Sequence, residues 1–204
     1  MNGHAEDQEI TFLTGTYYSW KPADGICELD LGCGCGSYTT QLAQRYPERQ
    51  ILAADVMVGR LRKLVKRMHR EGVTNIVPLR TEARHLVALA LPDGCLDRIH
   101  LLCPDPWPKD RHSGNRLLSS NFMTHIHRVL KDDGVWHFST DDQEYLAAVR
   151  KAVHASQLFK DEPERLSDIA DVKTDFEVMW NEMGKEVYHH AWVKLPLPEV
   201  TIGH

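Results

Sequence analysis

Three carboxylates, Asp30, Asp55 and Glu82, stand at or just past the ends of three short apolar runs, ICELDL (26–31), QILAAD (50–55) and NIVPLR (75–80). A carboxylate so placed can meet an ammonium, accept from the two hydroxyls of a ribose, or face the amino edge of a base. Between the first two runs lies DLGCGCG (30–36), in which Gly32, Gly34 and Gly36 permit a tight turn and a close approach of ligand to backbone. The dinucleotide fingerprint G-x-G-x-x-G would require glycine at position 37, where Ser37 stands. Acids around such a turn suit a ligand that carries positive charge; a bare pyrophosphate would not call for them.

A second constellation is CPDPWPKDRH (103–112). Pro104, Pro106 and Pro108 fix their own φ and donate no backbone hydrogen bond, so the segment is a stiff loop, neither helix nor strand. It presents Asp105 on a rigid frame, with Lys109, Arg111 and His112 behind it to meet phosphate or ribose. Trp107 can stack on a base or wedge the loop against the sheet. Two further clusters, STD (139–141) and TDFE (174–177), offer Asp141, Thr174, Asp175, Phe176 and Glu177. Asp141 has a plain alternative role as N-cap of the helix that follows.

The elements that must position these groups alternate. Strands are expected at 26–31, 50–55, 75–80, 97–103 and 135–140, with helices at 37–45, 60–70, 83–89, 117–130 and 142–155 between and after them. In RLRKLVKRMHR, Leu61, Leu64, Val65 and Met68 recur at helical spacing, leaving an outward basic face. The alternation predicts an α/β fold with a doubly wound, mainly parallel sheet, whose ligands sit beyond the carboxyl ends of the strands. A Lys-Asp-Asp-Gly turn precedes 135–140. After a charged loop at 161–173 come a helix from Thr174 and a strand near 186–194, which break the alternation. Residues 1–25 form an ordered arm, and 26–204 form one domain.

The chain has 204 residues, a formal charge of −5 and five cysteines. An odd number of cysteines without disulfide or zinc spacing predicts small buried thiols in a reduced, cytoplasmic protein and no metal site. No apolar run approaches the ~18 residues of a membrane helix, and the N-terminus lacks the pattern of a signal peptide. The net charge conceals segregation: Arg60, Arg62, Lys63, Lys66, Arg67 and Arg70 follow one another without an acid between them. Such a face is commonly only solvated, but it also fits an anionic partner.

The glycine turn with Asp30 and Asp55 resembles the S-adenosylmethionine-dependent methyltransferase pattern rather than the NAD pattern. CPDPWPKDRH followed by RLL (116–118) resembles the loop after the fourth strand of the bacterial tRNA (guanine-N7-)-methyltransferases. STD (139–141) and TDFEVMWNEMGKEVYHH (174–190) are similar to further stretches of that family, in the same order over roughly 26–194. The resemblance implies a Rossmann-like class I fold with an antiparallel C-terminal strand, S-adenosylmethionine as cofactor and tRNA as partner, in a monomer or homodimer. It implies cofactor contacts at Asp30, Gly32, Gly34, Gly36, Asp55, Glu82 and Asp105. It implies substrate contacts at Lys109, Arg111, His112, Asp141, Thr174, Asp175, Phe176 and Glu177. Asp105 would be the catalytic carboxylate, close to both sulfonium and purine as positive charge passes between them, while Arg116 and the 60–70 helix would meet the RNA backbone.

The sequence also departs from the family. Asp30 and Asp55 replace the usual Glu, and Glu82 the usual Asp. Asp110 and the stretch Ser113-Gly114-Asn115 replace basic residues, which thins the charge available to phosphates. A divergent paralogue with another RNA or a small molecule as acceptor is the first rival. A non-catalytic partner subunit is the second, opposed by the presence of Asp105, Thr174 and Glu177. An NAD oxidoreductase is the weakest. The loops at 104–116 and 161–173 are expected to order only when RNA arrives.

Overall fold

The computed structural model describes residues 4–13, 25–104 and 120–197. The strands are β1 (Thr11–Phe12), β2 (Cys27–Leu31), β3 (Gln50–Asp55), β4 (Ile76–Arg80), β5 (Leu96–Leu102), β6 (Leu130–Thr140), β7 (Phe159–Asp161) and β8 (Tyr188–Lys194). They form one sheet in the order β1-β4-β3-β2-β5-β6-β8-β7. β8 runs antiparallel to both of its neighbours, and the remaining pairings are parallel. The helices are α1 (Ser37–Arg45), α2 (Val58–Glu71), α3 (Ala83–His85), α4 (Ser120–Val129), α5 (Gln143–Ser156) and α6 (Asp175–Glu182). This is the doubly wound, mainly parallel sheet that the alternation predicts, with the antiparallel C-terminal strand that the resemblance implies and the order reversing between β2 and β5.

Each face of the sheet carries its own apolar layer. On one, Leu42 of α1 and Leu61, Leu64 and Val65 of α2 pack with Leu166 and Ile169 over β3, β4, β6 and β8. On the other, Phe122 and Ile126 of α4, Val149 and Val153 of α5, and Leu86 and Val87 cover the central strands. A parallel sheet covered on both faces reads as continuous apolar sequence. The exceptions in the central strands are therefore informative: Glu28, Asp30, His100 and His137 are all buried there.

Several elements differ from expectation. β1 and β7 were not foreseen; at two and three residues they are edge strands that depend on a neighbour rather than on an apolar pattern. The expected turn at 131–134 lies within β6, with Asp133 at φ 61° and a register shift opposite Leu96 and Arg98. The short helix after β4 becomes a π-helix at Leu86–Ala90. The charged loop at 161–173 contains a 3-10 helix, Pro163–Ile169, with Leu166 and Ile169 buried. It is tied down by Arg98 to Asp168 (3.1 Å) and by Arg45 to Asp171, so for this segment the expectation of ordering only with RNA is overturned. Cys27, Cys33 and Cys95 are buried as expected, whereas Cys35 and Cys103 are partly exposed.

Candidate active site

The glycine turn is built onto the end of β3. The Gly32 and Cys33 N–H groups both donate to the Ala54 carbonyl, at 2.8 and 3.0 Å. Gly32, Gly34 and Gly36 all have positive φ, a conformation that glycine adopts without steric cost. At Gly36 the φ is 79°, and a Cβ would lie 2.2 Å from Leu64 Cδ1, so this glycine also lets α1 pack on α2.

Beyond the turn opens a cavity of about 650 Å3, lined by Asp30, Gly32, Gly34, Asp55, Cys103 and Phe176 among others. That volume suits a small-molecule ligand. Asp30 is 2% exposed and accepts from the Thr39 hydroxyl at 2.5 Å. Burial pushes its carboxyl up from the ordinary range, against the Thr39 hydrogen bond and the nearby His100. A buried carboxylate bordering a cavity without a full counter-charge is a group that a cationic ligand stabilises. Asp55 accepts from Gly34 N–H (3.1 Å) and Met57 N–H (2.7 Å), with Arg60 at 3.5 Å, so it joins the turn to the start of α2. A carboxylate has about four lone-pair sites, and those left over can still receive hydroxyls.

The C-terminal cluster closes the other side. Thr174 N-caps α6, its hydroxyl accepting from Glu177 N–H at 2.9 Å. Asp175 N–H donates to Ser37 Oγ (2.9 Å), and Gln41 donates to the Lys173 carbonyl (2.7 Å). Thr174, Asp175 and Phe176 thus line the same cavity as the glycine turn. Glu177 is buried and lies 3.2 Å from His189 Nε2 and 3.5 Å from Lys173 Nζ. The charges of Asp141 and Glu177 both reach Cys103, whose thiol is pushed up first by burial and then by these two carboxylates. Asp142, not Asp141, caps α5, accepting from Tyr145 N–H at 3.0 Å. The alternative role weighed for Asp141 therefore falls to its neighbour.

Other expected residues are not brought in. Glu82 is exposed and turns its carboxylate onto the Arg84 and His85 N–H groups (3.1 and 3.0 Å), capping α3 outside the cavity lining. Asp105, Trp107, Lys109, Arg111, His112 and Arg116 lie outside the described residues. The basic face of α2 is paired within the chain: Arg62 meets Asp7 (2.8 Å), Lys66 meets Glu6 (3.5 Å) and His69 meets Glu9 (2.8 Å). Charge segregation along the sequence suggested a free basic face, but segment 4–13 folds its acids onto it. Sequence reasoning missed the buried His100 and His137 and the half-buried His189, which no motif marks. Two histidines inside apolar strands were the available signal. Among the described residues no group of three or more His, Cys, Asp or Glu side chains is arranged to hold a metal ion.

Residues 24–190 match the family described as putative methyltransferase. The tRNA (guanine-N(7)-)-methyltransferase of Neisseria meningitidis serogroup A is 34% identical over 202 residues, covering 92% of this chain and 83% of that protein. The Thermus thermophilus protein of the same name is 30% identical over 189 residues, covering 89% of this chain and 60% of its own length. That of Syntrophotalea carbinolica is 37% identical over 130 residues, covering 64% and 55%. The chain thus spans little more than half the length of several curated relatives it matches. Among solved structures, the 16S rRNA methyltransferase KamB superposes with a TM-score of 0.63 at 15% identity, covering 87% of this chain and 96% of that one. A SAM-dependent methyltransferase from Aquifex aeolicus gives 0.59 at 16% identity, covering 86% and 85%. At these identities the two structures bear on the fold.

Proposed function

The chain belongs to the tRNA (guanine-N(7)-)-methyltransferase family, and from that premise we propose that it transfers a methyl group from S-adenosylmethionine to N7 of a guanine in the variable loop of tRNA. The observation that carries the reading is the docking of Lys173 and Asp175 against Gln41 and Ser37, which brings Thr174, Asp175 and Phe176 to the cavity beside the glycine turn. We read residues 26–204 as one such domain with 1–25 as its arm, acting in the cytoplasm as a monomer or homodimer. No helix of the described residues is long and apolar enough to cross a membrane.

The cofactor, when bound, supplies an electrophilic methyl on a sulfonium. Asp30 would receive its ammonium, Asp55 its ribose hydroxyls, and the glycine turn would let it approach the backbone. Guanine N7 has a free lone pair, so the protein needs no base to uncover it. The chain's task is orientation and the placing of carboxylates where positive charge develops. Glu177 and Asp141 would accept from the guanine edge, with Thr174 holding the turn that carries Glu177 and Phe176 lying against the ring. Asp105, Lys109, Arg111 and His112, from the proline loop, complete the proposal for catalysis and RNA contact. Glu82 enters it only by turning away from α3.

The pairing of α2 with Glu6, Asp7 and Glu9 favours a second reading, an acceptor that needs few phosphate contacts. The experiment that separates the two is transfer of labelled methyl to a tRNA transcript with the variable-loop guanine and to one with adenine there. Label on the first alone supports the proposal. Label on neither, from protein that binds the cofactor, turns the assignment to another acceptor.

A further inference from the structure

A row of polar side chains crosses the sheet face beneath α1, inside an otherwise apolar layer. It begins at Glu28 on β2, whose carboxylate accepts from Arg49 (2.5 Å) and lies 2.8 Å from His100 Nε2 on β5. His100 Nδ1 lies 3.0 Å from His137 Nδ1 on β6, and His137 Nε2 lies 2.9 Å from His189 Nδ1 on β8. His189 Nε2 then meets Glu177 at 3.2 Å. Register partners and diagonal neighbours on four adjacent strands set these contacts. Glu28, His100, His137 and Glu177 are 1, 0, 2 and 5% exposed, so water does not bridge the row at will.

Proton counting gives the row a property that no single contact has. Four contacts join the two carboxylates. Each needs one proton between its heavy atoms, and three neutral imidazoles supply three. With both carboxylates ionised, the row is complete only when it holds one proton more. That proton can rest on any of the three rings, because every such state leaves all four contacts donor to acceptor. Tyr38, whose hydroxyl lies 3.1 Å from His100 Nδ1, keeps its own proton and leaves the count unchanged. The other charged groups around the row are Asp30, Arg98, Asp168 and Lys173, in addition to Arg49.

Resting on the reading that Glu177 receives the acceptor base, we propose that His189, His137 and His100 are positioning residues for it. They hold one shared proton beyond their neutral complement, which keeps Glu177 an oriented carboxylate facing a base edge with paired N–H donors. The energetics agree. Burial and the neighbouring His100, His189 and Arg98 hold His137 well below the ordinary imidazole range, which drives the proton toward the ends of the row. At the far end, burial would raise Glu28, but the hydrogen bond from His100, then the charges of His100 and Arg98 and the Arg49 bond, bring it to about 2. Glu28 therefore stays ionised, and the count holds. Loss of the extra proton leaves two lone pairs facing each other in one contact. The longest contact, His189 to Glu177, is the one that opens, because His189 is 29% exposed.

Glu28→Gln tests this from the end remote from the base. Arg49 fixes the carbonyl of the substituted side chain, so its amide N–H faces His100, and three imidazole protons then suffice. In the wild type, kcat/KM for tRNA should fall at least tenfold across an alkaline limb while cofactor Kd stays flat. In Glu28→Gln that limb should vanish. Imidazole 15N shifts of the free wild-type protein at neutral pH should show one imidazolium equivalent across the row, and those of the variant none. Three neutral rings in the wild type, or an unchanged alkaline limb in the variant, would overturn the proposal. The wild-type 15N titration decides it even if the variant fails to fold. If the wild type transfers no methyl to tRNA, the acceptor reading fails while the 15N spectra still judge the proton count.

Discussion

Ser37 Oγ accepts the Asp175 N–H at 2.9 Å, joining the first turn of α1 to the first turn of α6 across most of the chain. Ser37 is the residue that breaks the dinucleotide fingerprint, and here it anchors α6 against the glycine turn. Ser37→Ala should lower kcat/KM for tRNA about fivefold, the worth of one neutral hydrogen bond, while calorimetry finds cofactor affinity nearly unchanged. Equal loss in both would mean that Ser37 serves the cofactor instead.

Asp30 gives a prediction of opposite signs. Its folded-state carboxyl is raised by burial, so the ionised form weakens the free protein as pH rises through that value. Asp30→Asn should therefore raise the melting temperature of the ligand-free protein at pH 8. It should also weaken cofactor binding by about two orders of magnitude, as expected when one partner of a buried charge pair is removed. A variant that melts lower and binds normally would contradict the role given to Asp30.

Glu28 follows the reverse rule. Its carboxyl is lowered from 4.5 to about 2, so its stabilisation is present above the unfolded value and is lost as pH falls toward 2. Urea titrations of wild type and Glu28→Gln should differ by about 3 kcal/mol at pH 7 and converge in acid. A difference independent of pH would assign the effect to packing.

Gly36→Ala combines a left-handed φ with a contact on Leu64. It should cost about 2 kcal/mol or more in stability, read by denaturant midpoint. Gly34, whose added Cβ would meet nothing within 4 Å, should cost only the backbone term.

The acids of segment 4–13 pair with Arg62, Lys66 and His69 on the basic face of α2. The triple change Glu6→Gln, Asp7→Asn, Glu9→Gln should tighten tRNA binding at low salt and steepen the plot of log Kd against log salt by about 2 to 3. An unchanged slope would show that α2 does not face RNA.

The fold was legible because its signals are local. ICELDL, QILAAD and NIVPLR are short apolar runs separated by a glycine turn and an amphipathic helix, and α1 begins and ends where its pattern does. The gathering of Asp30, Asp55 and Thr174 around one cavity was legible for the same reason: each sits at the end of an element. What was not legible depends on pairing at a distance. The acids at 6, 7 and 9 give no sign in sequence that they lie on α2, and Glu82 gives none that it prefers the N–H groups of α3. The histidine row is spread over three strands and owes its existence to register. His100 and His137 could be noticed only as polar residues where apolar ones belong.

The most direct test identifies the methylated atom. Methylation at N7 makes the guanine labile, so reduction with borohydride followed by aniline cuts an otherwise unmodified tRNA transcript at that nucleotide. After incubation of tRNA with S-adenosylmethionine and the protein, the account predicts a single cut at the variable-loop guanosine, absent when Asp30→Asn protein is used. Label incorporated into tRNA without that cut, or a cut at another position, would contradict it.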